Sequence, residues 1–109
     1  MSDLTPLSDR LLQRYEVALL AALYFPFGEV EHAIAVAFRE SGFRTGAHNT
    51  SGEDSRGLMQ INVGPGAHPQ LAAWNLFDPQ VNMYFAGQLF REQGWRPWYA
   101  GSPPILPWL

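Results

Sequence analysis

Residues 44–57, RTGAHNTSGEDSRG, carry no apolar periodicity and consist largely of Gly, Ser, Thr, Asn and charged side chains. Such a stretch cannot be a core helix or a buried strand, so it reads as a long polar loop. Loops of this length inside a small domain are usually functional or disordered. The rest of the chain has to build a scaffold around it. On the N-terminal side, Thr5 and Pro6 fit an N-cap and first helical position, and Leu7, Leu11, Tyr15, Ala18, Leu19, Ala22 and Leu23 recur at helical spacing. Pro26 and Gly28 end that helix. A second helix is predicted over 29–43, with Val30, Ala33, Ile34, Ala37, Phe38 and Ser41 on one stripe.

Beyond the loop, LMQI is a short apolar return to the core and NVGPGAHP another turn-rich connection. Asp78 and Pro79 are a second N-cap and first-position pair, opening a helix whose Val81, Phe85, Gln88 and Leu89 share a face with Tyr84 nearby, and Gly94 closes it. The tail GWRPWYAGSPPILPWL holds four of the nine prolines, which excludes regular helix and central strand. Nothing repeats, and no period-two strand pattern stands out. The expectation is a small, mainly α, single domain over 1–109, with 102–109 as a proline-rich tail.

Composition excludes several chemistries. The 109 residues are 47% hydrophobic, enough for one modest core. Without cysteine there are no disulfides, thiolate nucleophiles or Cys-based metal sites. All seven basic residues are arginine, which removes Schiff-base lysines and the phosphate-loop lysine. A net charge of -3 without a basic cluster argues against a nucleic-acid partner. His32, His48 and His68 lack any short ligand spacing, so they read as exposed residues, and neither metal nor other cofactor is expected. The longest apolar stretch, VALLAALYFPF, has eleven residues, against about 20 for a membrane span. It lacks the positive leader of a signal peptide and reads as a core helix. Aromatic residues make up 14% of the chain, which suits a sugar-binding cleft or a small, ring-filled core.

Glu40 lies at the end of the second helical pattern, just before the polar loop. At about 100° per residue it falls close to Ala33 and Ala37, at the edge of the buried stripe. A half-desolvated carboxyl loses hydration in its charged form, which moves its pKa upward, as a general acid requires. The two alanines would leave a notch in front of it. The plainer reading is that Glu40 ends a helix and pairs with Arg39 or Arg44.

ESGF, AHN, SRGLMQIN and NLFDPQVNMYFAGQL follow one another in order over residues 40–89. This succession resembles the lysozyme-like soluble lytic transglycosylases, with their helix-terminal Glu-Ser, polar loop, Gly-Leu-Met-Gln and Asp-Pro-x-x-Asn helix start. It covers roughly residues 28–101. The resemblance implies a lysozyme-like fold with a long polar active-site loop after the catalytic helix. It implies cleavage of the β-1,4 bond between N-acetylmuramic acid and N-acetylglucosamine in peptidoglycan glycan strands.

Carried over by residue, it makes Glu40 the single catalytic acid/base. Asn49 falls where the family has Ser or Asn facing substrate or Glu. Gln60 is the glutamine that hydrogen-bonds an N-acetyl group, or else a residue closing the loop. Met59 and Asn62 are placed with the substrate-binding set, Met59 as core or cleft wall. Gly57 allows close backbone approach or serves a turn. Asn82 becomes a buried support. Tyr99 matches the tyrosine of the family's Tyr-Asn-Ala-Gly, although WYAGSP lacks the asparagine. Trp95 and Trp98 are sugar platforms or core.

Two neighbouring acids keep hydrolysis open. Glu53 and Asp54 follow in the loop, and the related goose-type lysozymes use loop aspartates to position a water, though Asn62 stands where they have an aspartate. The bland reading of this pair is two solvated loop charges. A small chain without a leader fits a phage-associated or multidomain-derived module acting at the cell wall, part of a larger phage or envelope assembly. The alternative from another class is a domain that keeps the fold only to bind glycan or to hold a place in a virion or secretion machine.

Overall fold

In the computed structural model, which describes residues 9–99, three helices pack around a small sheet: α1 (Arg14–Tyr24), α2 (Val30–Ser41) and α3 (Pro79–Gln93). The α3 boundaries are those the caps predict. Asp78 Oδ1 accepts from the backbone N–H groups of Gln80 (2.9 Å) and Val81 (3.2 Å), Pro79 takes the first turn, and Gly94 follows the last. The α2 helix stops at Ser41 rather than Phe43. Gly42 has φ 61° and donates its N–H to Phe38 O, while the Ser41 hydroxyl bonds back to Ala37 O at 2.9 Å.

The first helix departs from expectation. Thr5 and Pro6 lie outside the described residues, and residues 9–13 are not helical. Leu12 N–H donates to Phe43 O and Thr45 N–H to Arg10 O, so this stretch runs extended along the segment after α2. The helix begins at Arg14, where the Glu16 carboxylate accepts from Gln13 N–H at 2.8 Å. Its buried residues are Val17 and Ala21, while Tyr15, Leu19 and Leu23 of the predicted stripe are exposed. The reason is close approach. A Cβ on Gly87 of α3 would stand 2.4 Å from Tyr24 O, so α1 and α3 meet where side chains are smallest. In α3 the inward residues are correspondingly Asn82, Met83, Ala86, Gly87 and Leu89, and Val81 and Phe85 are only half-buried.

The polar loop and the segment after it also contain what the sequence did not announce. His48–Asn49 (β1), Ser55–Arg56 (β2) and Ile61–Asn62 (β3) form an antiparallel sheet in the order β1-β2-β3. Strands of two residues cannot display a period of two. The register pairs Asn49 with Ser55 and Ser55 with Asn62, and on the neighbouring row His48 with Arg56 and Arg56 with Ile61. Successive strand residues point to opposite faces, so these rows face opposite ways.

The sheet is tied to α3 by Asn82, which is fully buried. Its Oδ1 accepts from Met59 N–H at 2.8 Å, and its amide donates to Arg56 O and Leu76 O, both at 2.9 Å. Those bonds explain an asparagine inside a helix, where propensity alone disfavours it. Gly57, at φ 78°, lies against the same support, since a Cβ there would be 2.1 Å from Leu76 O. Leu58, Met59, Ile61, Ile34, Val36 and Met83 complete the core between helices and sheet.

Candidate active site

The last turn of α2, the row Asn49–Ser55–Asn62 and the turn at Pro97–Trp98 enclose a polar cleft of about 250 Å³, lined also by Glu40, Glu53 and Gln60. A smaller hollow of about 80 Å³ shares Gln60, Asn62, Pro97 and Trp98 with it and continues toward His68. The two adjoin along these residues as one trough, and Glu40 lines its larger part.

Glu40 is three-quarters buried, its side chain 24% exposed. Its Oε2 accepts from Arg39 at 2.9 Å, the pairing that the plainer reading of the sequence allowed. Ala33 and Ala37 are fully buried and line no part of the cleft, so they do not form the predicted notch. The space in front of Glu40 is made by the sheet and by Trp98.

Gln60 has φ 50° and gives both of its side-chain N–H groups to backbone, one to Ala47 O and one to Gly57 O, each at 3.0 Å. It closes the loop and lines the cleft, and what it offers a ligand is the acceptor Oε1. Asn49 donates to Glu53 Oε2 at 2.7 Å. Asn62 accepts through Oδ1 from the N–H groups of Asp54 and Gly64, which shapes the turn and leaves its amide donors toward the trough.

Two residues of the predicted set fall outside the cleft lining. The Met59 side chain is completely buried in the core, and its backbone carbonyl accepts from the Trp98 indole at 2.7 Å. Tyr99 is half-buried, with its hydroxyl bonded to His32 Nε2 at 2.5 Å and its ring 4.9 Å beneath the Arg39 guanidinium. Burial pushes the Tyr99 phenol up to about 12, so it stays protonated.

His32 is accordingly not an exposed histidine. Its ring stacks on Trp95 at 4.3 Å, and burial lowers its pKa, with Glu29 opposing and Arg39 adding to the shift. Trp95 belongs to the core, stacked also on Phe25, whereas Trp98 lines the trough.

Glu53 and Asp54 are not two equivalent solvated charges. Asp54 is gripped by Arg56 through two bonds of 2.9 Å and by His48 at 2.8 Å, which hold its carboxyl down at about 2. Glu53 faces the cleft, its oxygens taken by neutral donors: Asn49 on one, and the buried Ser55 hydroxyl on the other at 2.6 Å. Sequence reasoning missed Ser55, because only the strand register puts it between Asn49 and Asn62. Among the described residues there is no group of three or more His, Cys, Asp or Glu able to hold a metal.

The cleft sets a helix-terminal carboxyl opposite a small polar sheet, with Trp98 as an aromatic wall, on a mainly α scaffold. A family model described as a lysozyme-like domain matches residues 20–100, and the chain belongs to that family. Membership makes peptidoglycan the substrate class and the cell wall the place of action. A comparison with curated proteins found no match. Among the described residues no helix is long and apolar enough to cross a membrane.

Proposed function

We propose that the domain is a lytic transglycosylase acting on the β-1,4 bond between N-acetylmuramic acid and N-acetylglucosamine, with Glu40 as its one acid/base. The observation that carries the proposal is the placement of Glu40, largely buried yet lining a cleft with Asn49, Gln60 and Asn62. In the first step Glu40 gives its proton to the glycosidic oxygen as the bond to the anomeric carbon breaks. The muramoyl C6 hydroxyl then attacks that carbon and returns a proton to the carboxylate, leaving a 1,6-anhydro end. Because the substrate supplies the nucleophile, no second carboxylate is required, unlike the ordinary paired-acid mechanism. Gln60 Oε1 accepts from an acetamido N–H, the one polarity its committed donors permit.

One observation favours a second reading, a water-using muramidase: Glu53 shares the cleft with Glu40 and is oriented by Asn49 and Ser55. A carboxylate so held can position and deprotonate a water. Against it, Asn62 supplies no second acid there, and its carbonyl is consumed by two backbone N–H groups.

Mass spectrometry of digested peptidoglycan separates the readings. Products lighter by one water, with anhydro ends, and undiminished by Glu53→Gln, support transglycosylation. Reducing ends on every fragment, lost in Glu53→Gln, support hydrolysis. Wall clearing that is absent from the wild-type protein would favour a glycan-binding domain, and equal clearing by wild type and Glu40→Gln would remove Glu40 from the mechanism.

A further inference from the structure

Arg39 and Glu40 are adjacent on α2, and neighbouring helical residues project about 100° apart, so they do not ordinarily meet. Here they meet at 2.9 Å. Something therefore draws the guanidinium round the helix, and two groups are in place to do so. Arg39 donates to the Trp98 carbonyl at 3.3 Å, and its guanidinium lies over the Tyr99 ring at 4.9 Å. A planar guanidinium can stack on a ring face while its in-plane N–H groups reach an oxygen, whereas an ammonium has no plane to stack.

The two holders are themselves fixed. The Tyr99 hydroxyl is bonded to His32, which is stacked on Trp95, and the Trp95 indole donates to Glu29 at 3.0 Å. Trp98 is pinned through its indole to Met59 O. The 95–99 turn thus ties the start of α2, its last turn and the strand-side loop together. Among the described residues, Arg39 is the member of that assembly hydrogen-bonded to the candidate acid.

From this geometry we infer that Arg39 is the positioning residue of Glu40, and that Tyr99 and the Trp98 carbonyl act through it. The inference rests on Glu40 being the acid/base. Arg39 occupies Oε2, and among the described residues Oε1 has no hydrogen-bond partner, which leaves Oε1 as the oxygen available to a ligand. The transferable proton sits on that atom. When it passes to the glycosidic oxygen, the carboxylate left behind keeps its bond to Arg39 and so stays in place to accept the proton back.

The test uses Arg39→Met, which keeps the stem without donors or charge, Arg39→Lys, which keeps the charge without the planar fork, and Glu40→Gln as control. Initial rates on purified glycan strands are measured over a range of concentrations, with melting temperature alongside. Arg39→Met is expected to lower kcat about 10- to 100-fold while KM moves less than about two-fold, as for a group acting on the transition state. Arg39→Lys should restore part of kcat. Tyr99→Leu should lower kcat in the same direction, and its loss combined with Arg39→Met should be less than the product of the two.

Wild-type kcat in Arg39→Met beside an inactive Glu40→Gln would overturn the inference and leave the acid assignment standing. A defect residing wholly in KM would also overturn it. An active Glu40→Gln would instead overturn the assignment of the acid. Should Arg39→Met fail to fold, Arg39→Gln, which retains an amide donor for the Trp98 carbonyl, is read by the same split between kcat and KM.

Discussion

Two hollows on this molecule make opposite use of their side chains. The groove between α1 and α3 encloses about 450 Å³ and is lined by Tyr24, Trp74, Gln80, Val81, Tyr84 and Phe85. The cleft beside α2 is smaller, about 250 Å³, and holds Glu40, Glu53, two asparagines, a glutamine and a serine. In the groove the rings meet edge to face, Tyr24 against Tyr84 at 5.7 Å, and the two tyrosine hydroxyls accept from Gln80 and Gln88. No carboxyl lines it. Rings that pack on one another at steep angles leave wide gaps at a surface, so volume there follows from shape. Reactivity needs titratable groups in fixed positions, and that is what the narrower cleft provides.

The sharpest way to break the contrast is to remove the acid from the cleft. Glu40→Gln preserves shape, and we expect peptidoglycan cleavage to fall roughly 10²- to 10⁴-fold with an unchanged melting temperature. The second test addresses what holds the cleft in place. Asn82→Ala strips partners from Met59 N–H, Arg56 O and Leu76 O. Orphaned buried groups cost about 1–3 kcal/mol each, and with partial relaxation we expect roughly 3 kcal/mol of lost stability in urea unfolding. Stability unchanged by this substitution would mean that the sheet is held to α3 by packing alone.

A smaller effect is expected from the aromatic support behind the cleft. His32 is faced by Glu29 and Arg39 of its own segment and by Trp95 and Tyr99 from the closing turn. Its folded pKa lies below the ordinary 6.5, so the neutral ring is the form that the fold prefers. The unfolded chain then binds the proton more readily, and stability is complete above 6.5 and declines as pH falls through the lowered folded value. The melting temperature should therefore drop below about pH 6.5 more steeply in the wild type than in His32→Phe. Asp54 acts in a separate, more acidic window: its contribution is present above 3.8 and lost as pH falls toward about 2.

The smallest effect belongs to the larger hollow. Trp74 is 55% exposed, and Trp74→Ala is expected to change stability by about 1 kcal/mol or less and to leave glycan cleavage at the wild-type rate. A large loss of cleavage would show that the aromatic groove takes part in holding substrate, and the contrast between the two hollows would fail.

How much of this was legible depended on whether a signal was local. The Asp78–Pro79 start and Gly94 end of α3 were readable because caps act within a few residues. The position of Glu40 at the end of α2 followed from the same helical count. The face of α1 was not readable, because Tyr15, Leu19 and Leu23 repeat as regularly as Val17 and Ala21. Gly87 decided between them from sixty-odd residues away by letting α3 come close to Tyr24. The two-residue strands were equally hidden, and with them the row that puts Ser55 between Asn49 and Asn62. His32 looked exposed because its partners Trp95 and Tyr99 come from the far end of the domain.

By itself, then, the sequence determined a small, mainly helical domain, the segment boundaries that caps and prolines impose, and an acid at the lip of a polar loop. Only the tertiary structure decided which neighbouring carboxylate enters the cleft, which face of each helix is buried, and how Arg39 comes to grip Glu40. The physical reason is range. Backbone caps and helical spacing are settled between residues a turn apart, whereas register, close approach of helices and stacked rings are settled between residues that meet only after the chain has folded.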